Sequence, residues 1–356
     1  MIYSIDKLKD AMENNNIGAS LIIQNESIRY FSGFTGSNAL LLILADKKYL
    51  ITDFRYIRQA KSQSPGFEVI DAPGTKAFDF ISETCTDLKV DSLWFEDGTL
   101  TYKQYSNLAK KASFLDLIPD EGKIFKLRIL KTEDEVNNIR KAAALADKGF
   151  TYLLDFIKSG TSEKKVALEL EFYLRKNGSE GLAFPIIAAS GPNGALPHAE
   201  PSDRMLEDGD FLTLDFGCIV NGYCSDITRT VAIGEPADKL KEIYRITLEA
   251  QEKALGQLRP GISCMLVDKH ARDHITTHGY GPNFGHGLGH GVGLHVHEEP
   301  RLSPQGAETL QPGMVVTIEP GIYIPDLGGV RIEDLVLITK DGYDNLVTSK
   351  KDLIII

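Results

Sequence analysis

Gly285-His286-Gly287-Leu288-Gly289-His290-Gly291-Val292-Gly293-Leu294-His295-Val296-His297-Glu298 places four of the chain's eight histidines within twelve residues. Five glycines alternate through the run. Each weakens a helix by roughly 1 kcal/mol relative to Ala, so a helical zinc-protease motif of the HExxH kind is excluded and the backbone is extended or looped. A strand period of two puts His286 and His290 on one side, and His295 and His297 share a face. Glycine also lets a ligand or another chain come close to the backbone, as a substrate cleft requires. Four imidazoles in this setting point to chemistry rather than packing.

The carboxylates that such histidines would work with lie on either side. Residues 211–217 alternate as a strand that carries Asp215 on the face of Phe211 and Thr213. Eleven residues on, past the turn at Val220-Asn221-Gly222-Tyr223, Asp226 opens a second strand over residues 226–233. A hairpin brings the two aspartates side by side, and like charges that close need a cation. Residues 313–321 form a strand with Glu319 at its end, and residues 330–338 repeat the arrangement with Glu333, fourteen residues later. Two neighbouring strands thus each present one acid to a common point. One such acid alone reads equally well as a turn cap or a solvent-facing group, but four together do not.

Four carboxylates and an imidazole make an oxygen-dominated set suited to two divalent ions. Structural zinc would want four Cys or His ligands, and calcium a loop with acids at alternate positions. Manganese, cobalt, iron(II) and zinc all suit the donors. Acids that balance two such ions point to metal-assisted hydrolysis.

The remaining chain fixes the frame. At 356 residues it predicts one large and one smaller domain. The first hundred or so residues alternate strands (19–23, 39–44, 49–52, 67–70, 92–95) with helices (54–62, 76–85, 102–112), an α/β layer domain. No GxGxxG spacing occurs there, so it reads as a structural or docking domain. Thr132-Glu133-Asp134-Glu135 is a capping box that opens a long amphipathic helix up to Gly160, followed by a second helix from Thr161 or Ser162 to Asn177-Gly178. We expect domains at 1–124 and 125–356. Residues 184–190 read as a buried strand, and His198 sits in a proline-stiffened loop. A helix over residues 240–258 precedes another from about Cys264, which carries His270 and His274 on a mostly polar surface, where they read as ordinary.

A net charge of −11 and the lack of a Lys/Arg-rich run exclude nucleic acid and anionic membranes as expected partners. No stretch approaches twenty apolar residues, and the first ten are charged without an apolar core, which predicts a cytoplasmic protein. The four cysteines form no CxxC pair and read as reduced.

Asp215, Asp226, His290, Glu319 and Glu333, with Gly-His-Gly-Val-Gly around the histidine, Val-His-Glu after it and Ile-Glu-Pro-Gly around Glu319, resemble the Xaa-Pro peptidases of the creatinase/methionine-aminopeptidase superfamily (peptidase family M24). Ile28-Arg29-Tyr30-Phe31-Ser32-Gly33-Phe34-Thr35-Gly36-Ser37-Asn38 is similar to that group's amino-terminal domain, so the resemblance spans nearly the whole chain. It implies a creatinase-like α/β amino-terminal domain before a pita-bread catalytic domain, with two divalent ions, manganese first among them, per chain. It also implies that Asp215 is bidentate at one metal, that His290 and Glu319 serve the second, and that Asp226 and Glu333 contact both. Glu319 would double as general base. His198, His286 and His297 would line the substrate pocket, with His198 and His297 stabilising developing charge, and Tyr323 and Arg331 would support it. His295 has no role on this basis. The implied substrate is a small peptide with proline second, and the implied assembly a homodimer. Arg301, four residues past His297, is placed to read a dipeptide's terminal carboxylate, which favours a dipeptidase (prolidase) over an aminopeptidase P that takes longer peptides; pairing with Glu298 or Glu299 at the surface is the alternative. Intact ligands argue against a metal-free relative, and the length of the amino-terminal domain against methionine aminopeptidase.

Overall fold

A computed structural model describes residues 5–356. The chain forms two compact units, divided between Arg128 and Ile129. In the first, six strands run in the order Glu68–Asp71, Lys48–Thr52, Leu40–Leu44, Ala19–Ile22, Ser92–Phe95, Asp116–Pro119. The central three pair antiparallel, and the outer partners join in parallel. The central strands are buried on both faces and correspondingly apolar. Two helices here escape a reading by periodicity, Ile5–Asn14 and Asn25–Ser32. The first buries Ile5, Leu8 and Met12 despite the charges between them. The second ends at Gly33, whose φ of 75° is the left-handed cap that glycine adopts without strain. The edge strand Asp116–Pro119 is likewise absent from the sequence reading.

The second unit opens with the helix Glu133–Phe156, capped as expected: Thr132 accepts from the Glu135 amide, and the Glu135 carboxylate accepts from the Thr132 amide at 2.8 Å. Glu163–Lys176 follows, with Ser162 as its cap. A three-stranded antiparallel sheet orders Ile227–Ala232, Phe211–Phe216 and Ile187–Ser190. A five-stranded sheet orders Glu298–Leu302, Gly289–Gly291, Val315–Ile318, Asp334–Ile338 and Tyr343–Asn345. The helices Asp238–Leu255 and Cys264–Thr277 pack against each other and contribute to the unit's apolar core.

Three expectations need correction. The strand expected over residues 184–190 begins only at Ile187. Pro185 has no amide to donate, and Phe184, Pro185 and Ile186 face a cavity instead. The strand expected over residues 330–338 is broken: Gly328–Arg331 pairs with Gly321–Ile324, whereas Asp334–Ile338 pairs with Val315–Ile318. At the break Glu333 bridges to Thr228 of the three-stranded sheet, and this crossing between sheets aims its carboxylate. His274, expected on a polar surface, is buried and bonded to Glu249.

Candidate metal centre

The two carboxylate pairs converge on the histidine run. Asp215 is the penultimate residue of one strand of the Phe211–Phe216/Ile227–Ala232 hairpin, and Asp226 directly precedes the other. Glu319 and Glu333 flank the Ile318–Asp334 pair of the five-stranded sheet. His290 lies mid-strand between Glu298–Leu302 and Val315–Ile318. The glycines explain how it gets there. A Cβ at Gly289 would overlap the Thr317 carbonyl, and one at Gly291 the Glu299 carbonyl, so only glycine lets this strand lie so close to its neighbours.

His290 Nδ1 donates to the Gly291 carbonyl at 3.0 Å, which turns Nε2 to the acids: 3.3 Å from Glu319 Oε1 and 3.6 Å from Asp226 Oδ2. Ligand atoms of Asp226, His290 and Glu333 all lie within 4.8 Å of one another. Arg331 Nη2 binds Asp215 Oδ2 at 2.5 Å, and Thr228 Oγ1 donates to Glu333 Oε2 at 2.6 Å. The opposite oxygens, Asp215 Oδ1 and Glu333 Oε1, are buried and lack a hydrogen-bond partner among the described residues. Native proteins rarely leave carboxylate oxygens so, and the pair marks where a cation fits.

Protonation says the same. Burial, with Asp215 beside it, pushes Asp226 well above the ordinary carboxylate range. Burial, then Asp226, does the same to Glu333. Asp215 is raised by burial against the pull of Arg331. Burial alone would raise Glu319, but the His290 hydrogen bond and charge hold it at about 2; burial would lower His290, but Glu319 and Asp226 lift it to about 9. Four acids and one imidazole that compete for protons are a set in which positive charge is in demand.

Around them is a cavity of about 560 Å³, lined by His198, His286, His297, Arg301 and Arg331 as well as by the five converging side chains. Phe184, Pro185, Ile186 and Pro201 make one part of its wall apolar. The His297 ring meets the His290 ring edge-on at 4.5 Å; burial and then the His290 charge lower it to about 4. His286 Nε2 pairs with the Tyr323 hydroxyl at 2.9 Å, and Arg331 Nη1 donates to that hydroxyl at 2.8 Å. Tyr323 itself is not among the lining residues: it stands behind His286 and Arg331. His295 turns Nδ1 toward the His297 backbone.

Several supporting groups carry no sequence signal. The buried Lys131 ammonium pairs with Glu298 at 2.9 Å, behind His297. Arg272 donates to the carbonyls of Phe284 and His286, and Asp268 accepts from the Leu288 amide, which fixes the start of the histidine run. Glu163 accepts from Ser190 and Ser202 and so ties down both ends of the loop that holds His198. A glutamate directly after the Ser162 cap is the one trace of this in the sequence.

Comparison with known proteins agrees with the architecture. The family model "Metallopeptidase family M24" matches residues 137–340, and "Creatinase/Prolidase N-terminal domain" matches residues 5–130. An Xaa-Pro dipeptidase from Pyrococcus horikoshii is 40% identical over 355 residues, covering 99% of each chain. The solved Xaa-Pro dipeptidase from Bacillus anthracis superposes with a TM-score of 0.95 at 45% identity, covering 99% of each chain. The X-Pro aminopeptidase from Thermotoga maritima gives a TM-score of 0.90 at 38% identity, covering 97% of this chain and 100% of the other.

Proposed function

The chain belongs to metallopeptidase family M24, its creatinase/prolidase amino-terminal domain followed in sequence by a pita-bread catalytic domain, and from that premise we propose that it is a metal-dependent Xaa-Pro dipeptidase. The observation that carries this reading is the convergence of Asp215, Asp226, His290, Glu319 and Glu333, with two buried carboxylate oxygens unpartnered, at a cavity that Arg301 also lines. In this reading Asp215, Asp226, His290, Glu319 and Glu333 would hold two divalent cations, manganese by preference. Such ions supply a nucleophile at neutral pH and polarise the scissile carbonyl.

The chain's own groups do the rest. Glu319, held ionised beside His290, takes the proton of the attacking water and passes it to the departing proline nitrogen. His297 and His198 donate to the oxygen on which charge develops. A neutral His297 has such a donor to offer only on one ring nitrogen, so its tautomer matters. Tyr323 and Arg331 hold His286 and Asp215 in place, and Arg331 reaches the Pro197 carbonyl beside His198 at 3.2 Å. The apolar wall at Phe184 to Ile186 suits a proline ring.

Arg301 is exposed at the cavity and stands opposite His290 in the strand register. Glu298 is paired with Lys131, and the Arg301 guanidinium has no hydrogen bond or ion pair among the described residues, so the forked donors of Arg301 are available to a dipeptide's carboxylate. Among the described residues no helix is long and apolar enough to cross a membrane. We take the protein to be a cytoplasmic homodimer, which sedimentation at micromolar concentration checks. The deciding experiment compares Xaa-Pro with Xaa-Pro-Yaa substrates after reconstitution with manganese, cobalt or zinc. Faster cleavage of dipeptides supports the reading; faster cleavage of tripeptides assigns aminopeptidase P instead.

A further inference from the structure

A second group of ligating side chains lies apart from the cavity: none of its members is among the cavity's lining residues. Glu249 belongs to the helix Asp238–Leu255, His274 to the helix Cys264–Thr277, and His278 is the residue that caps the latter. The spacing of four puts both imidazoles on one face, one turn apart, with ring centroids 4.5 Å from each other. His274 Nε2 donates to Glu249 Oε2 at 3.0 Å across the helix pair. His278 Nδ1 donates to the His274 carbonyl at 2.9 Å, so Nε2 is its remaining nitrogen. Ligand atoms of the three residues lie within 4.8 Å of one another.

We propose that Glu249, His274 and His278 form a peripheral site for one divalent cation of the zinc, nickel or cobalt class, which clips the two helices together. Two imidazoles and one carboxylate select such borderline ions over magnesium or calcium. Bond lengths of about 2.0–2.2 Å bring tetrahedral ligand atoms to roughly 3.3 Å apart. His278 is exposed and Glu249 half-exposed, so neither side chain is locked by packing and both can close on an ion. The ion takes the place of the proton that His274 and Glu249 share, and the imidazole proton moves to Nδ1. Outer partners already orient the ligands: the His274 carbonyl holds His278, and Arg245 Nη1 holds Glu249 Oε1 at 2.6 Å. Burial, with the charges of Lys253 and His278, keeps His274 below its ordinary pKa, so the imidazole is neutral and able to ligate. A fourth position stays open to water.

The test uses the full chain, loaded with manganese and then titrated with zinc(II), with zinc counted per chain and thermal stability recorded. Zinc can also replace manganese at the cavity, so the peripheral equivalent is read as the one, with its rise in Tm, that Asp226→Ala retains and that is taken up by the wild type beyond what its cavity holds. His278→Ala and Glu249→Gln, whose side chains are not needed for the core, bind that equivalent more than about 100-fold more weakly and lose the rise in Tm. Both keep their peptidase rate. Zinc affinity and stoichiometry unchanged in both variants would overturn the site. A protein that binds zinc here but cleaves no Xaa-Pro substrate would instead overturn the proposed function, so the two failures are distinguishable.

Discussion

Replacement of Glu163 by Ala tests how the cavity is held open to chemistry by groups that do not touch it. Glu163 is fully buried at the first turn of its helix. It accepts from the Ser190 amide at 2.6 Å and hydroxyl at 2.7 Å, from the Ser202 amide at 2.9 Å and hydroxyl at 2.6 Å, and from Asn193 Nδ2 at 3.1 Å. Each hydroxyl keeps the bond it accepts, Ser190 Oγ from Arg204 and Ser202 Oγ from Asn193, and its O–H can rotate toward another acceptor. The two backbone amides do not move so easily. Each buried donor left unmade costs about 1–3 kcal/mol, and the half-exposed Ser202 recruits water, so a loss of about 2–4 kcal/mol is expected. For a domain of this size that is roughly 4–16 °C in Tm. Because residues 191–202 carry His198, KM for Xaa-Pro should rise as well, and limited proteolysis should cut there first. The charge adds a pH signature. Burial opposes ionisation, but the hydrogen bonds from Ser202 and Ser190 win and hold the pKa below the ordinary glutamate value. A depressed folded pKa means that this stabilisation is full above the unfolded value and is lost as pH falls through the folded one. The stability gap between the wild type and Glu163→Gln should therefore close on acidification. A loss under about 1 kcal/mol for Glu163→Ala, with unchanged KM and no pH-dependent gap, would refute the reasoning.

Asp226→Ala should lose bound metal and, on the order of 1,000-fold, kcat, because the remaining acids face one another uncompensated; metal analysis and single-turnover rates check both. Chelation of the wild type should abolish activity, and readdition of manganese should restore it. Arg301→Ala should cost about 1.5–3 kcal/mol, chiefly in KM, on Xaa-Pro, and little on the amidated dipeptide; equal losses on both would make Arg301 structural. Lys131→Met should destabilise by about 3–5 kcal/mol in urea melts, since it removes the counter-charge beside the buried Glu298 carboxylate, and Lys131→Met with Glu298→Gln should recover most of that.

What the sequence picks out by itself is the set of candidate ligands. Asp215 and Asp226 stand out because carboxylates are costly in apolar strands, and His290 because glycine on either side leaves the imidazole as the only side chain there. The Thr132 capping box and the long helix after it are equally plain, since both depend on residues within one or two turns. Tertiary structure decided what depends on pairs far apart in the chain. The sequence treats residues 330–338 as one strand; only the bridge from Glu333 to Thr228, 105 positions away, breaks it and aims the carboxylate. Arg331 reaches Asp215 across 116 positions, and Lys131 meets Glu298 across 167. His274 looks like a polar helix residue until Glu249 arrives on a neighbouring helix. A local pattern records which face of an element is buried, but not which partner is packed against it, because that contact energy is realised only once the elements assemble.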